Sequence, residues 1–141
     1  ASAASAVVYV VSASTITAFV SEQGGIWPVH CVQNTEGAQL HPDLDAADVD
    51  VIVDKGQPHD TDGYSGFDGT NLAELLRERG ISRVTVVGLA TDYCVKHTAL
   101  EALQEGFTVL VDSSAVRGVE VEPGDSERAL AEMRAAGATV A

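Results

Sequence analysis

A chain of 141 residues has the length of one compact domain, and 45% hydrophobic residues suffice for a sizeable core, so a single domain over residues 1–141 is expected. Its 21 acidic residues against 8 basic ones give a net charge of -13, which opposes attraction to nucleic acid or anionic membranes and leaves small molecules or proteins as expected partners. No stretch approaches the roughly 18 apolar residues of a membrane span, and the Ala/Ser-rich start lacks the basic segment of a signal peptide. The expectation is a soluble cytoplasmic protein, with homo-oligomers left open.

Residues 6–11 (AVVYVV) form a short continuous apolar run, the pattern of a strand covered on both faces in a parallel sheet. Residues 12–48 are the least regular part, punctuated by Gly24, Gly25, Pro28 and Pro42. Further buried strands are predicted at 49–53 (VDVIV), 84–89 (VTVVGL) and 107–111 (FTVLV). Helices are predicted at 72–79, stopped by Gly80, and at 95–105, stopped by Gly106. A last helix over 125–136 has Asp125 or Ser126 as its candidate cap and Gly137 as its stop, and Thr139 and Val140 begin a short edge strand. Strands alternating with helices predict an α/β fold, with ligands beyond the carboxyl ends of the strands and the loops after Val11, Val53 and Leu89 facing one crevice.

The strongest chemical signal is GLATDYCV, residues 88–95, where a strand stops and turns into a helix with Cys94 at its start. A thiol there meets the positive end of the helix dipole, and the N–H groups of such a turn can donate to an oxyanion on an attacked carbonyl. The competing reading makes Cys94 a small residue filling a helix–sheet interface. Lys55 follows an apolar run and precedes Gly56, which fits either a lysine that stabilises a thiolate or a solvated loop lysine. Asp54 and Asp92 are carboxylates that could serve as a base, or simply loop and helix-start acids. His30, in WPVHC, could ligate a metal, but His41, His59 and His97 have no metal-ligand spacing to it. Tyr64, in YSGF, could pack over a crevice or cover the core. Cys31 and Cys94, without an export signal, read as reduced thiols.

Three long segments, GGIWPVHCVQNTEGAQLHPDL, VDKGQPHDTDGYSGF and GLATDYCVKHTALEALQEGF, with the tail DSSAVRGVEVEPGDSERALAEMRAAGA, resemble the nicotinamidases (pyrazinamidases) of the isochorismatase-like cysteine hydrolases in order and spacing. The resemblance covers about residues 21–137. It implies a three-layer, doubly wound, mostly parallel α/β fold, and hydrolysis of nicotinamide to nicotinate and ammonia through a thioester on cysteine, a step of NAD salvage. Cys94 matches the nucleophile and Lys55 the catalytic lysine. Ala90 and Cys94 match the oxyanion-hole positions, with a non-proline cis peptide expected in the turn matching Ala90 and Thr91. Trp27 and Tyr64 match residues near the pyridine ring, and His30 matches one ligand of a divalent zinc, iron or manganese ion.

The family's Asp-x-Gln-Asn-Asp-Phe strand, whose first Asp is the general base, does not occur in this sequence. Nor do an Asp-x-His pair and a further His that complete the metal site; the chain reads STITAF at 14–19 instead. Residues 6–11 are therefore expected either to match the family's second strand, with the first strand and its helix lacking and the sheet incomplete, or to take the central place with the second unit lost instead. The alternative to an active amidohydrolase is a non-catalytic, truncated or engineered family member that binds a small aromatic amide or a partner subunit.

Overall fold

The computed structural model describes residues 4–12, 26–57 and 62–141. The readings placed on Gly24, Gly25, His59, the first alanines and the 14–19 segment lie outside those residues. The chain divides into two compact units, Ala1–Leu72 and Ala73–Ala141.

In the first unit, β1 (Val8–Ser12) and β2 (Val51–Lys55) pair in parallel from Val8 opposite Val51 to Ser12 opposite Lys55. Both strands sit about two residues later than the apolar runs suggest, so β2 takes in the polar pair Asp54 and Lys55. The segment between them holds two single helical turns, Glu36–Ala38 and Ala46–Asp48; the second is capped by Asp45, whose carboxylate accepts the Ala47 N–H at 2.8 Å. Val53 and Phe67 supply buried apolar surface, and a Cβ on Gly66 would come within 3.1 Å of Val10, so the 64–67 loop lies close against β1.

The helix α1 (Leu72–Glu78) leads into the second unit, where β3 (Arg83–Leu89), β4 (Thr108–Arg117) and β5 (Thr139–Val140) form a parallel sheet in that order. Between the strands run α2 (Lys96–Gln104) and α3 (Asp125–Ala136), which pack on each other. All strand pairs described are parallel, as the alternating pattern predicts, and they fall into a two-stranded and a three-stranded ladder. Met133, Val109 and Val111 are completely or almost completely buried, and so are Ala99 and Ala102 of α2, whose small side chains leave room for a close approach of their neighbours.

The predicted glycine stops hold, and by one mechanism. After α2, Gly106 turns left-handed (φ 89°) and the next amide, Phe107 N–H, reaches back to the Ala102 carbonyl at 3.0 Å. The pairs Ile81 to Leu76 and Ala138 to Met133 repeat that bond at 2.9 and 3.0 Å. The start of α3 differs from expectation. Gly124 occupies the cap position without a side-chain bond. The orphan amides are met instead by Glu120, whose carboxylate accepts the N–H of Gly124 at 2.9 Å and of Ser126 at 2.8 Å. Asp125 accepts the Glu122 N–H and pairs with Arg128.

Strand β4 also runs six residues beyond its apolar core. Val86 faces Val111 but Gly88 faces Val116, so the register slips by a wide bulge. The consequence is that the end of β4 travels alongside Gly88 and Leu89 and delivers residues 118–120 to the turn that follows β3.

Candidate active site

Each unit holds part of the predicted set. In the second unit, Ala90 and Cys94 share one turn: Thr91–Val95 forms a π-helical turn between β3 and α2, with the Tyr93 and Val95 N–H groups both donating to the Ala90 carbonyl at 3.1 and 3.0 Å. Such widened turns occur often at functional sites. Cys94 thus stands inside the turn, two residues ahead of the regular helix, and is half-buried. The cis peptide expected near Ala90 lies between Leu89 and Ala90, one bond earlier than the position anticipated.

Asp92 is not a base in waiting. Its side chain is buried, 8% exposed, and its two oxygens accept the Val119 and Glu120 N–H groups, each at 2.9 Å. Both lone-pair faces of the carboxylate are directed at backbone donors, and bonds from N–H to a charged acceptor contribute about 1.5–3 kcal/mol each. Sequence inspection reads Asp92 as a helix-start acid because its partners lie 27 and 28 residues away.

In the first unit, Lys55 departs from the solvated-loop reading: it ends β2, is only 6% exposed, and its Nζ donates to the Gly63 carbonyl at 2.7 Å. Strand parity explains this. Side chains alternate along β2, so Val53 and Lys55 point inward while Asp54 points out and is exposed. Asp54 therefore lies on the face opposite Lys55, which removes it as a substitute base beside that lysine.

Gly63 lies against Gly56. A Cβ on Gly63 would stand 2.6 Å from Gly56 Cα, and Gly63 has φ 63°, so a side chain is disfavoured there on two counts. Tyr64 follows Gly63, the lysine's acceptor, in the chain. Tyr64 Oη in turn accepts the Trp27 indole N–H at 2.8 Å. Lys55, Tyr64 and Trp27, three positions picked out by resemblance, are thus linked within one unit by the Lys55–Gly63 bond and one side-chain hydrogen bond.

His30 is exposed, and its Nδ1 lies 2.7 Å from the Pro28 carbonyl. A carbonyl only accepts, so Nδ1 is the donor in this contact. No cluster of three or more His, Cys, Asp or Glu side chains able to hold a metal exists among the described residues. One histidine does not make a divalent-metal site, and the residues described do not fit such an ion. His41 and His97 are likewise exposed.

Neither Cys31 nor Cys94 is in a disulfide. Among the described residues, no helix is long and apolar enough to cross a membrane.

The isochorismatase domain matches residues 2–141. The nicotinamidase of Escherichia coli K12 is 48% identical over 120 residues, 81% of this chain and 56% of that protein, so the chain spans little more than half of that relative. Among solved structures, the pyrazinamidase of Pyrococcus horikoshii in complex with zinc superposes with a TM-score of 0.85 at 44% identity, over 95% of this chain and 73% of that one. A protein of L. infantum in complex with nicotinate gives 0.86 at 33% identity, over 95% and 70%. With a thiol on a strand-to-helix turn, parallel strands throughout and a domain match across both units, the chain belongs to the isochorismatase family.

Proposed function

We propose that the chain is a cysteine amidohydrolase of nicotinamidase type that acts, as one domain spanning both units, on a small aromatic amide such as nicotinamide. The observation that carries this reading is the turn Thr91–Val95, which places Cys94 and the backbone of Ala90 together at the end of a parallel strand. The E. coli and P. horikoshii likenesses support the substrate class.

In this reading Cys94 Sγ attacks the carboxamide carbon, and the N–H groups of Ala90 and Cys94 hold the negative charge that develops on oxygen. The thiol proton given up by Cys94 Sγ passes to the amide nitrogen, the C–N bond breaks, ammonia leaves, and a thioester remains on Cys94. Water then adds to the thioester carbon, the C–S bond breaks, and nicotinate and the thiol are released. Lys55 is the second catalytic position, and Trp27 with Tyr64 the ring-binding pair. His30 is the position corresponding to a metal ligand. A cytoplasmic setting belongs to the same proposal, because a nucleophilic thiol must stay reduced.

The test is ammonia release from nicotinamide by the purified chain beside Cys94→Ala and Cys31→Ala. Turnover that disappears in Cys94→Ala and persists in Cys31→Ala supports the proposal. Turnover that survives Cys94→Ala, or none from a folded sample, overturns it; binding of nicotinate without turnover would point to a non-catalytic family member.

A further inference from the structure

The turn that carries Cys94 is not held by its own hydrogen bonds alone. Asp92 stands between Ala90 and Cys94, and its buried carboxylate receives two consecutive amides, Val119 and Glu120, from the strip that follows β4. Consecutive N–H groups converging on one anion make a backbone nest, and here the anion is the protein's own side chain.

Two further observations show that the strip is shaped for this contact. Gly118 lies so close to its neighbours that a Cβ would fall 1.9 Å from Ser126 Oγ and 3.2 Å from Asp92 Oδ1. Glu120 adopts φ 57°, a left-handed conformation uncommon outside glycine. Its carboxylate is tied down at the same time by Gly124 and Ser126. The strip is therefore fixed at one end by β4 and at the other by α3.

We propose that Asp92 is a positioning residue for Cys94: its carboxylate clamps the turn Thr91–Val95 onto residues 118–120, so that the loop between β4 and α3 sets where the thiol and the Ala90 and Cys94 amides stand. This rests on the reading of Cys94 as nucleophile. Asp92 itself touches no reacting atom. Loss of the clamp acts through geometry, and misplacing a reacting group by about 1 Å can reduce a rate by about 100-fold.

Asp92→Asn is the informative variant, since it keeps the shape but turns an amide NH2 toward one of the two N–H donors. Amide hydrogen exchange and nicotinamide kinetics are measured on the same protein. Exchange at Val95, whose N–H belongs to the turn, is compared with Phe107, whose N–H closes α2 in the same unit. The expected result is exchange at Val95 faster by about 10-fold relative to Phe107, and kcat lower by about 10-fold or more with KM within about twofold. Equal acceleration at both amides would mean general destabilisation and overturns the proposal; so does faster exchange at Val95 with kcat unchanged. Glu120→Ala loosens the strip without changing any residue of the turn itself, and serves if Asp92→Asn does not fold; the same pattern, in smaller measure, is expected, and its absence also overturns the proposal. Failure of the functional reading shows earlier and separately, as a parent chain whose turnover is nil or indifferent to Cys94→Ala, and the positioning role falls with it.

Discussion

The two units are stabilised by different means. Ala73–Ala141 is built by apolar burial: Met133, Val109, Val111, Ala99 and Ala129 are nearly or wholly removed from water, and three helices end in the same left-handed stop. Among its described residues, Ala1–Leu72 has a two-stranded sheet, a smaller buried apolar set that includes Val53 and Phe67, and contacts that depend on backbone closeness and polar bonds, as at Gly56 and Gly63, Lys55 and Gly63, and Trp27 and Tyr64. The first kind of unit tolerates changes at its surface but not in its volume. The second is sensitive to single atoms at a few backbone positions.

Two probes separate these behaviours. Trp27 is the chain's one tryptophan and reports on the first unit by fluorescence. Ellipticity at helical wavelengths reports mainly on α2 and α3 in the second.

The largest effect is expected from Met133→Ala. Met133 is fully buried, and its truncation removes apolar contact and leaves a cavity, at a cost of about 2–5 kcal/mol. In urea titrations the helical signal should shift to lower denaturant by a corresponding amount. Coincident movement of the Trp27 signal would show that the two units unfold together, whereas a stationary one would show that they do not.

Gly63→Ala should cost less, about 2 kcal/mol, through its positive φ and the 2.6 Å approach to Gly56 Cα. Here the Trp27 signal should move at least as far as the helical one. A Gly63→Ala chain with an unchanged Trp27 transition would mean that the loop closure contributes nothing to the first unit.

The smallest effect, nil at neutral pH, is acid sensitivity of the second unit. Hydrogen bonds from Ser114 hold Asp112 below the usual carboxylate range, those from Ser126 and Gly124 hold Glu120 below it, and those from Glu122 and then Arg128 hold Asp125 below it. Depressed values in the folded state mean stability that is fully present above the unfolded carboxylate range, about pH 4, and lost as pH falls through the lowered folded values. An acid titration followed by ellipticity should therefore show loss beginning below about pH 4, with Glu120→Gln flattening it. A Glu120→Gln profile identical to the parent's would remove Glu120 from this account.

Much of the second unit was legible in sequence because its elements are bounded by local signals. Apolar runs mark β3 and β4, and Gly80, Gly106 and Gly137 mark helix ends that one residue type can satisfy. What escaped was set by partners outside each local motif, from a few residues to nearly thirty away. The cap of α3 comes from Glu120 rather than Asp125 or Ser126, and Asp92's acceptors are filled from the other side of α2 and β4. The burial of Lys55 turns on whether β2 ends at residue 53 or 55, and only pairing with β1 decides that. The candidate chemistry was legible for a different reason. Cys94 on a strand-to-helix turn is a local pattern, whereas Tyr64 was picked out by resemblance alone. The hydrogen bond joining Tyr64 to Trp27 is not local, since 37 positions separate them.

The burial of Ala99 and Ala102 reaches beyond packing. Helix α2 follows the Cys94 turn without an intervening residue, so a displacement of the helix is passed to the turn. A larger side chain at either alanine has no free space to enter and is expected to shift α2. Two residues that take no part in the chemistry thus constrain where Cys94 can stand.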